Sequence, residues 1–131
     1  MNLNEKMKAM LDRRAKEAAS LNKDIVSFVK GVLDDERVES LIVNQIENGK
    51  SEFGIDFSVN DKGRVWCAGS QYNTRQEIAS EKAHEFTINI SKEVAKIIKK
   101  HGFLIISSPI NRCVDHAWHG YVYFKCKEEE Q

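Results

Sequence analysis

His84-Glu-Phe-Thr-Ile-Asn-Ile90 alternates apolar and polar residues, and its reading with the residues that follow sets the fold of the whole chain. Phe86, Ile88 and Ile90 would share one face of an extended segment, which predicts a half-buried strand. Ser91 is then placed to cap a helix running through Lys100, with Val94, Ile97 and Ile98 as its apolar stripe. Lys96, Lys99 and Lys100 gather near its end, where cations suit the helix dipole, and Gly102 supplies a stop. Phe103-Leu-Ile-Ile-Ser-Ser108 is apolar on both faces, which predicts a central strand or one covered on its second side. A last strand is expected from Tyr121 to Lys127, with Val122, Phe124 and Cys126 on one side and Tyr121, Tyr123 and Lys125 on the other. In that reading Cys126 is a small core hydrophobe.

Upstream, residues 4–33 read as a helical tract. Met7, Leu11, Ala18, Leu21, Ile25, Phe28 and Val32 alternate steps of four and three once Arg14 is counted, the spacing of a helix that pairs with another helix. Ser20 or Asn22 offers a break and a second cap. Two readings stand side by side: an amphipathic helix packed on its own domain, and an oligomer interface. Asp34-Asp35-Glu36 puts acids at the start of a helix that runs to Asn48 and stops at Gly49, with Val38, Leu41, Ile42, Gln45 and Ile46 on one face. Phe53, Ile55, Phe57 and Val59 alternate with Gly54, Asp56 and Ser58, a half-buried strand. Asn60-Asp-Lys-Gly63 is a turn into Arg64-Val-Trp-Cys-Ala68, its hairpin partner. Gly69 to Thr74 reads as loop, and Thr74 as the cap of a short helix over Arg75 to Lys82, the whole resembling an insertion between sheet strands. The expected architecture is one α+β domain over residues 1–131: a mixed, mostly antiparallel sheet of four to five strands, helices on one face, and residues 1–33 as a packing or oligomerisation segment.

The chain has 131 residues, enough for one core without metal or disulfide staples. Its 20 basic and 20 acidic residues cancel, so the broad positive field that neutralises phosphates is absent and nucleic acid is not an expected partner. The basic excess of the first third is interleaved with Glu5, Asp12, Glu17 and Asp24, the pattern of a solvated helix face. Three cysteines without scaffold spacing, and no apolar signal segment, lead to the expectation of a cytoplasmic protein. No apolar run approaches the roughly 18 residues of a membrane span, so no membrane association is expected.

The densest group of reactive side chains is Cys113-Val-Asp-His116-Ala-Trp-His119. Cys113, His116 and His119 have residue types that bind zinc, yet no Cys-x-x-Cys pair accompanies them, and a loop with polar histidines and one anchoring tryptophan accounts for the same residues. A thiol enzyme would need Cys113 as nucleophile, a histidine as base and Asp115 to orient it, but near neighbours in sequence point apart and no oxyanion loop is present. Phosphate-binding glycine motifs are missing as well. No catalytic residue and no cofactor is therefore assigned. What stands out is aromatic exposure: Trp66, Tyr72, Trp118, Tyr121 and Tyr123, with Arg112, Arg64 and Arg75 near them, are the residue types of binding hot spots. The alternative is that the N-terminal helix covers the tyrosine face.

Asn48-Gly49-Lys50 leading into Phe53-Gly-Ile-Asp-Phe57, then Ile88 through the Ser-capped stretch to Gly102-Phe103 and a closing aromatic strand, resembles small α/β accessory proteins of tailed bacteriophages. The resemblance spans about half the chain, and the segment from Asn60 to Lys82 departs from it. It implies an accessory protein of a kind in which some members bind host or defence factors; joined to the four-and-three spacing of residues 4–33, the expectation is a non-enzymatic protein that binds and inhibits a host protein such as a defence factor, working as a homo-oligomer through the N-terminal helix. No functional residue transfers with it. The competing expectation is a small-molecule or nucleotide binder, or a minor zinc-dependent enzyme, built on the 111–119 loop.

Overall fold

The computed structural model describes every residue except Arg75, Asp115 and 129–131. Among the described residues the chain forms three helices and six strands: α1 (Leu3–Val32), α2 (Asp35–Glu47), β1 (Glu52–Asn60), β2 (Arg64–Cys67), β3 (Ser70–Asn73), α3 (Ser80–Lys100), β4 (Leu104–Ser107), β5 (Ile110–Arg112) and β6 (Ala117–Lys125). All strand pairs are antiparallel, in the order β3-β2-β1-β6-β4, and β5 adds to β6 beyond β4. The fold is α+β, with the helices on one face of the sheet.

The two long strands at the centre, β1 and β6, pair over their whole length from Glu52↔Lys125 to Asn60↔Ala117. Phe53, Ile55, Phe57 and Val59 from β1 and Val122 and Phe124 from β6 face the helices and are almost wholly buried. Gly120 is part of the same layer because Phe57 takes its side-chain space: a Cβ on Gly120 would meet the Phe57 ring, with Cζ at 2.6 Å. The layer is closed by α3, which contributes Ala83, Phe86, Ile90, Val94 and Ile98, and by Ile25, Val29 and Val38 from the other two helices.

The segment His84–Ile90 is therefore helix, and the strand expected there does not form. Its buried positions are Ala83, Phe86, Thr87, Ile90, Ser91, Val94 and Ile98, a run spaced by three and four. Thr87 fits the apolar stripe because its hydroxyl donates to the Ala83 carbonyl at 2.7 Å, and Ser91 is buried within the helix instead of capping one. The helix begins at Ser80 after Ala79, which provides no side-chain cap; Thr74 instead bonds into the 74–76 turn, and the expected short helix up to Lys82 is replaced by the first turn of α3, with Arg75 outside the described residues. Gly102 ends the helix as expected.

α1 is continuous, with no break at Ser20 or Asn22, and is capped at its start by Asn2, whose side chain accepts from the Glu5 N–H. It lies beside α3 and runs in the same direction: Arg14 shares a cleft with Lys82, Asn89 Nδ2 donates to Asn22 Oδ1 at 3.0 Å, and Lys30 approaches Glu93 at 3.8 Å. α2 is capped by Asp34, which accepts from the Arg37 N–H at 2.8 Å. Two of its side chains tie it to the sheet. Gln45 binds both backbone groups of Gly54 (2.9 and 3.0 Å), completing the part of the β1 edge that β2 is too short to reach, and Arg37 donates to the Ala68 carbonyl at 2.8 Å. Ala68 and Gly69, both at positive φ, make the tight turn from β2 into β3, a strand where a loop was expected.

The opposite edge also differs from expectation. β4 is an edge strand and not a central one: Leu104 and Ile106 are exposed, and a register irregularity falls between Ile105 and Ser107. β4 pairs only with the end of β6, β5 takes the next stretch, and Pro109 lies between them with its carbonyl accepting from the Tyr121 N–H. A split, proline-bearing edge of this kind resists pairing with another chain. Cys126, beyond the end of β6, is exposed and takes no part in the core.

Candidate functional site

Strand alternation puts Gly54, Asp56, Ser58 and Asn60 of β1 on the face away from the helices, opposite Tyr123, Tyr121, His119 and Ala117 of β6. Among the described residues no helix covers this face: α1, which could have lain over it, packs on α3 and on the β2–β3 side of the helix layer. Tyr121 and Tyr123 stand two residues apart on β6 with their rings stacked, centroids 5.5 Å apart and planes within 7°. They are 39% and 37% exposed, enough to leave one side of the pair open. Gly54 makes the arrangement possible. The Tyr123 ring lies over its Cα, 3.2 Å from where a Cβ would stand, and the backbone beneath is held by Gln45.

A second row crosses the same face. Trp66 on β2 opposes Ser58, and Ser58 opposes His119, with Gln71 of β3 and Asn111 of β5 at the ends. Ser58 is 4% exposed, and its hydroxyl makes no hydrogen bond. Ser58 and His119 are thus cross-strand neighbours with no bond between hydroxyl and imidazole, so no activated nucleophile is assembled there. Arg64, on the same parity as Trp66, adds a cation at the border, and Asp56 an anion beside Tyr121.

The residues picked out as a binding set divide between the two faces. Trp66, Tyr121 and Tyr123 share the open face. Tyr72 looks the other way and stacks on Phe28 of α1, centroids 5.4 Å apart. Trp118 also lies on the helix side, stacked on His84 of α3 at 4.0 Å, with the Arg112 guanidinium 6.0 Å from its ring centre. Its indole N–H is buried without a partner. Arg75 lies outside the described residues.

The stretch from Cys113 to His119 is a hairpin tip followed by strand, and not one loop. The Cys113 N–H donates to the Ala117 carbonyl at 2.8 Å, His116 sits in the turn at positive φ, and His119 is already in β6, looking onto the open face. Asp115, the residue expected to orient a base, is outside the described residues. Among the described residues no group of three or more His, Cys, Asp or Glu side chains is placed to hold a metal ion. Of the three free thiols, Cys67 is fully buried in the core, where desolvation, helped by the Asp56 charge, pushes its pKa up to about 12. A thiol held protonated in this way is inert as a nucleophile.

Sequence reasoning had the two tyrosines but not what supports them. Gly54 and Ser58 were seen only as the polar side of a strand, and the register that sets them under Tyr123 and between Trp66 and His119 has no local signal. Among the described residues no helix is long and apolar enough to cross a membrane. No family model matches the chain, and neither the curated proteins nor the solved structures offer one similar to it.

Proposed function

We propose that this chain is a protein-binding module without catalytic activity, and that its helix-free sheet face is where the partner docks. In the accessory-protein reading that partner is a protein of a host cell, and binding blocks it. The observation that carries the proposal is the stacked, half-exposed Tyr121–Tyr123 pair seated on Gly54, with Trp66 on the same surface. Rigid aromatic side chains with a polar tip lose little entropy on docking and dominate binding hot spots. Preformed stacking lowers that cost further, because the rings do not have to be ordered by the partner. The surroundings, Ser58, Asp56, His119 and Arg64, are of the polar kind that rims such anchors.

The test is a capture experiment with the whole chain as bait, repeated with the Tyr121→Ala/Tyr123→Ala variant and with Tyr72→Ala as a change on the opposite face. A partner recovered by the wild-type chain should bind the double variant on the order of 30-fold more weakly, the effect of losing about 2 kcal/mol at one hot spot. Circular dichroism and the melting temperature establish that the double variant is folded. Equal capture by wild type and double variant, or loss confined to Tyr72→Ala, would move the partner off this face.

A further inference from the structure

Leu3, Met7, Met10 and Leu11 are all exposed on the first turns of α1, at 72, 42, 47 and 67%. The same side of the helix, about five turns later, carries Leu21, Ile25, Phe28 and Val29, which the domain buries or half-buries. One apolar stripe thus runs along the helix, and only its second half has a neighbour. The reason is geometric: α3 starts at Ser80, level with Arg14, so the turns of α1 before Arg14 project past the end of the helix that would cover them. Residues 1–17 are exposed without exception. An isolated segment of that length is marginally stable as helix in water, so a surface that covers it also holds it in shape.

The charges around the bare stripe select what covers it. In the projecting turns Lys6, Arg13 and Arg14 fall within it or along its border, whereas Glu5 and Asp12 fall on the far side of the helix; Glu17, an acid on the same border, comes after Arg14 and lines the cleft with Lys82 at the start of α3. Two such ends laid against each other would set cation against cation. The complementary surface is on α2. Its outward face exposes Val43 (44%) and Ile46 (53%), with Glu36, Glu39 and Glu47 around them, and Val43 lines a shallow groove of about 750 Å³ together with those three glutamates. Arg37, the one cation among the described residues that line the groove, donates to the Ala68 carbonyl. The end of α1 does not reach its own α2: the 30-residue helix is about 45 Å long, and α2 is attached to its other end through Leu33 and Asp34.

We propose that the projecting end of α1 docks on the α2 face of a second copy of this chain, and that the exchange is reciprocal, giving a closed dimer with two identical contacts. This proposal is independent of the sheet-face reading, since neither the end of α1 nor the outward face of α2 belongs to the sheet face that carries Tyr121 and Tyr123.

The experiment is sedimentation equilibrium of the whole chain over about a hundredfold range of concentration, because a dimer held this way dissociates on dilution. Four chains are compared: wild type, Lys6→Glu/Arg13→Glu/Arg14→Glu, Glu36→Lys/Glu39→Lys/Glu47→Lys, and the combination of all six. Each set touches exposed side chains, and circular dichroism reports whether each variant is folded. The wild type is expected to dimerise, more weakly as salt rises. Each single set should raise the dissociation constant at least about tenfold, and the combination should bring it back to within about threefold of wild type, since the charges are then complementary with signs exchanged. A wild type that stays monomeric overturns the proposal, as does a dimer lost with the α1 set but indifferent to the α2 set, which would mean that the helix ends pair with each other. A monomer that cosediments with phosphatidylglycerol vesicles through Lys6, Arg13 and Arg14 also overturns it and assigns the helix end to a membrane surface.

Discussion

Replacing Gly120 with alanine tests the packing on which the open face depends. Gly120 is buried in β6 opposite Phe57, and a Cβ there would clash with the ring, whose Cζ and Cδ2 stand 2.6 and 3.1 Å from its position and whose Cε2 is nearer still. Phe57 is 1% exposed and is enclosed in the main core cluster, so its ring does not swing away into solvent. Pushing such a side chain off its rotamer costs about 1–3 kcal/mol. Against this, alanine is better than glycine within a strand by about 0.5–1 kcal/mol, and no positive φ adds strain. The net expectation is a loss of about 1–2 kcal/mol, a fall in melting temperature of about 4–7 °C for a chain of this size. Calorimetry or chemical denaturation gives the value. The control is Phe57→Leu, which makes its own cavity but removes the ring. In the double variant the two losses should fall short of their sum by about 1 kcal/mol, because the added methyl fills space the ring has left. Unchanged or raised stability in Gly120→Ala, or strict additivity in the double variant, would refute the account of why β6 carries a glycine there.

Three further outcomes follow from single contacts. Gln45→Ala removes both side-chain bonds to Gly54 and leaves its N–H and C=O unpaired, so denaturation should show a loss of about 1–3 kcal/mol. Gln45→Glu, which keeps an acceptor but loses the donor, should recover only part of it. With a thiol reagent at mildly alkaline pH, Cys126 and Cys113 should react in the folded protein, and Cys67 only after denaturation. The raised Cys67 pKa also has a stability consequence. Between the ordinary thiol value of 9.0 and about 12 the unfolded chain has lost a proton that the folded chain keeps, so stability falls with rising pH across that window, by about 1.4 kcal/mol per unit. Below pH 9 the effect vanishes. Melting curves of wild type and Cys67→Ala should diverge from their neutral-pH difference only above pH 9, the variant losing less.

How much of this was legible follows from the kind of signal each element carries. α2, β1 and β2 have local signatures: an acidic cap in Asp34, alternation from Phe53 to Val59, and a turn at Asn60–Gly63. The N-terminal half of α3 was misread because two of its buried positions are polar. With Thr87 and Ser91 set aside, Phe86, Ile88 and Ile90 mimic a strand; with them included, the spacing of Ala83, Phe86, Thr87, Ile90, Ser91 and Val94 is helical. Thr87 satisfies its hydroxyl on the preceding turn, and nothing in its identity announces that. A start without a side-chain cap at Ala79, and a serine in the middle where a cap was plausible, pointed to the wrong boundary.

The edges of the sheet were illegible for a different reason. Phe103 to Ile106 is as apolar as a central strand, yet whether a strand is central depends on what pairs with its far side, and here β5 and Pro109 follow so closely that β4 stays at the border. The open face shares this non-local origin. Its tyrosines were visible as the polar parity of the last strand, but a face is a binding surface only if no element of its own chain covers it. α1 settles that by following α3, and it does so because Ile25 and Val29 are drawn into the core that α3 completes. The same commitment strips the neighbours from the first turns of α1. One packing decision thus leaves two surfaces bare, the tyrosine face of the sheet and the cationic end of the helix, and it keeps them apart: the first on the side of the sheet without helices, the second projecting from the helix layer. The proposed pairing of two copies through the helix would therefore leave the sheet face free for the proposed protein partner.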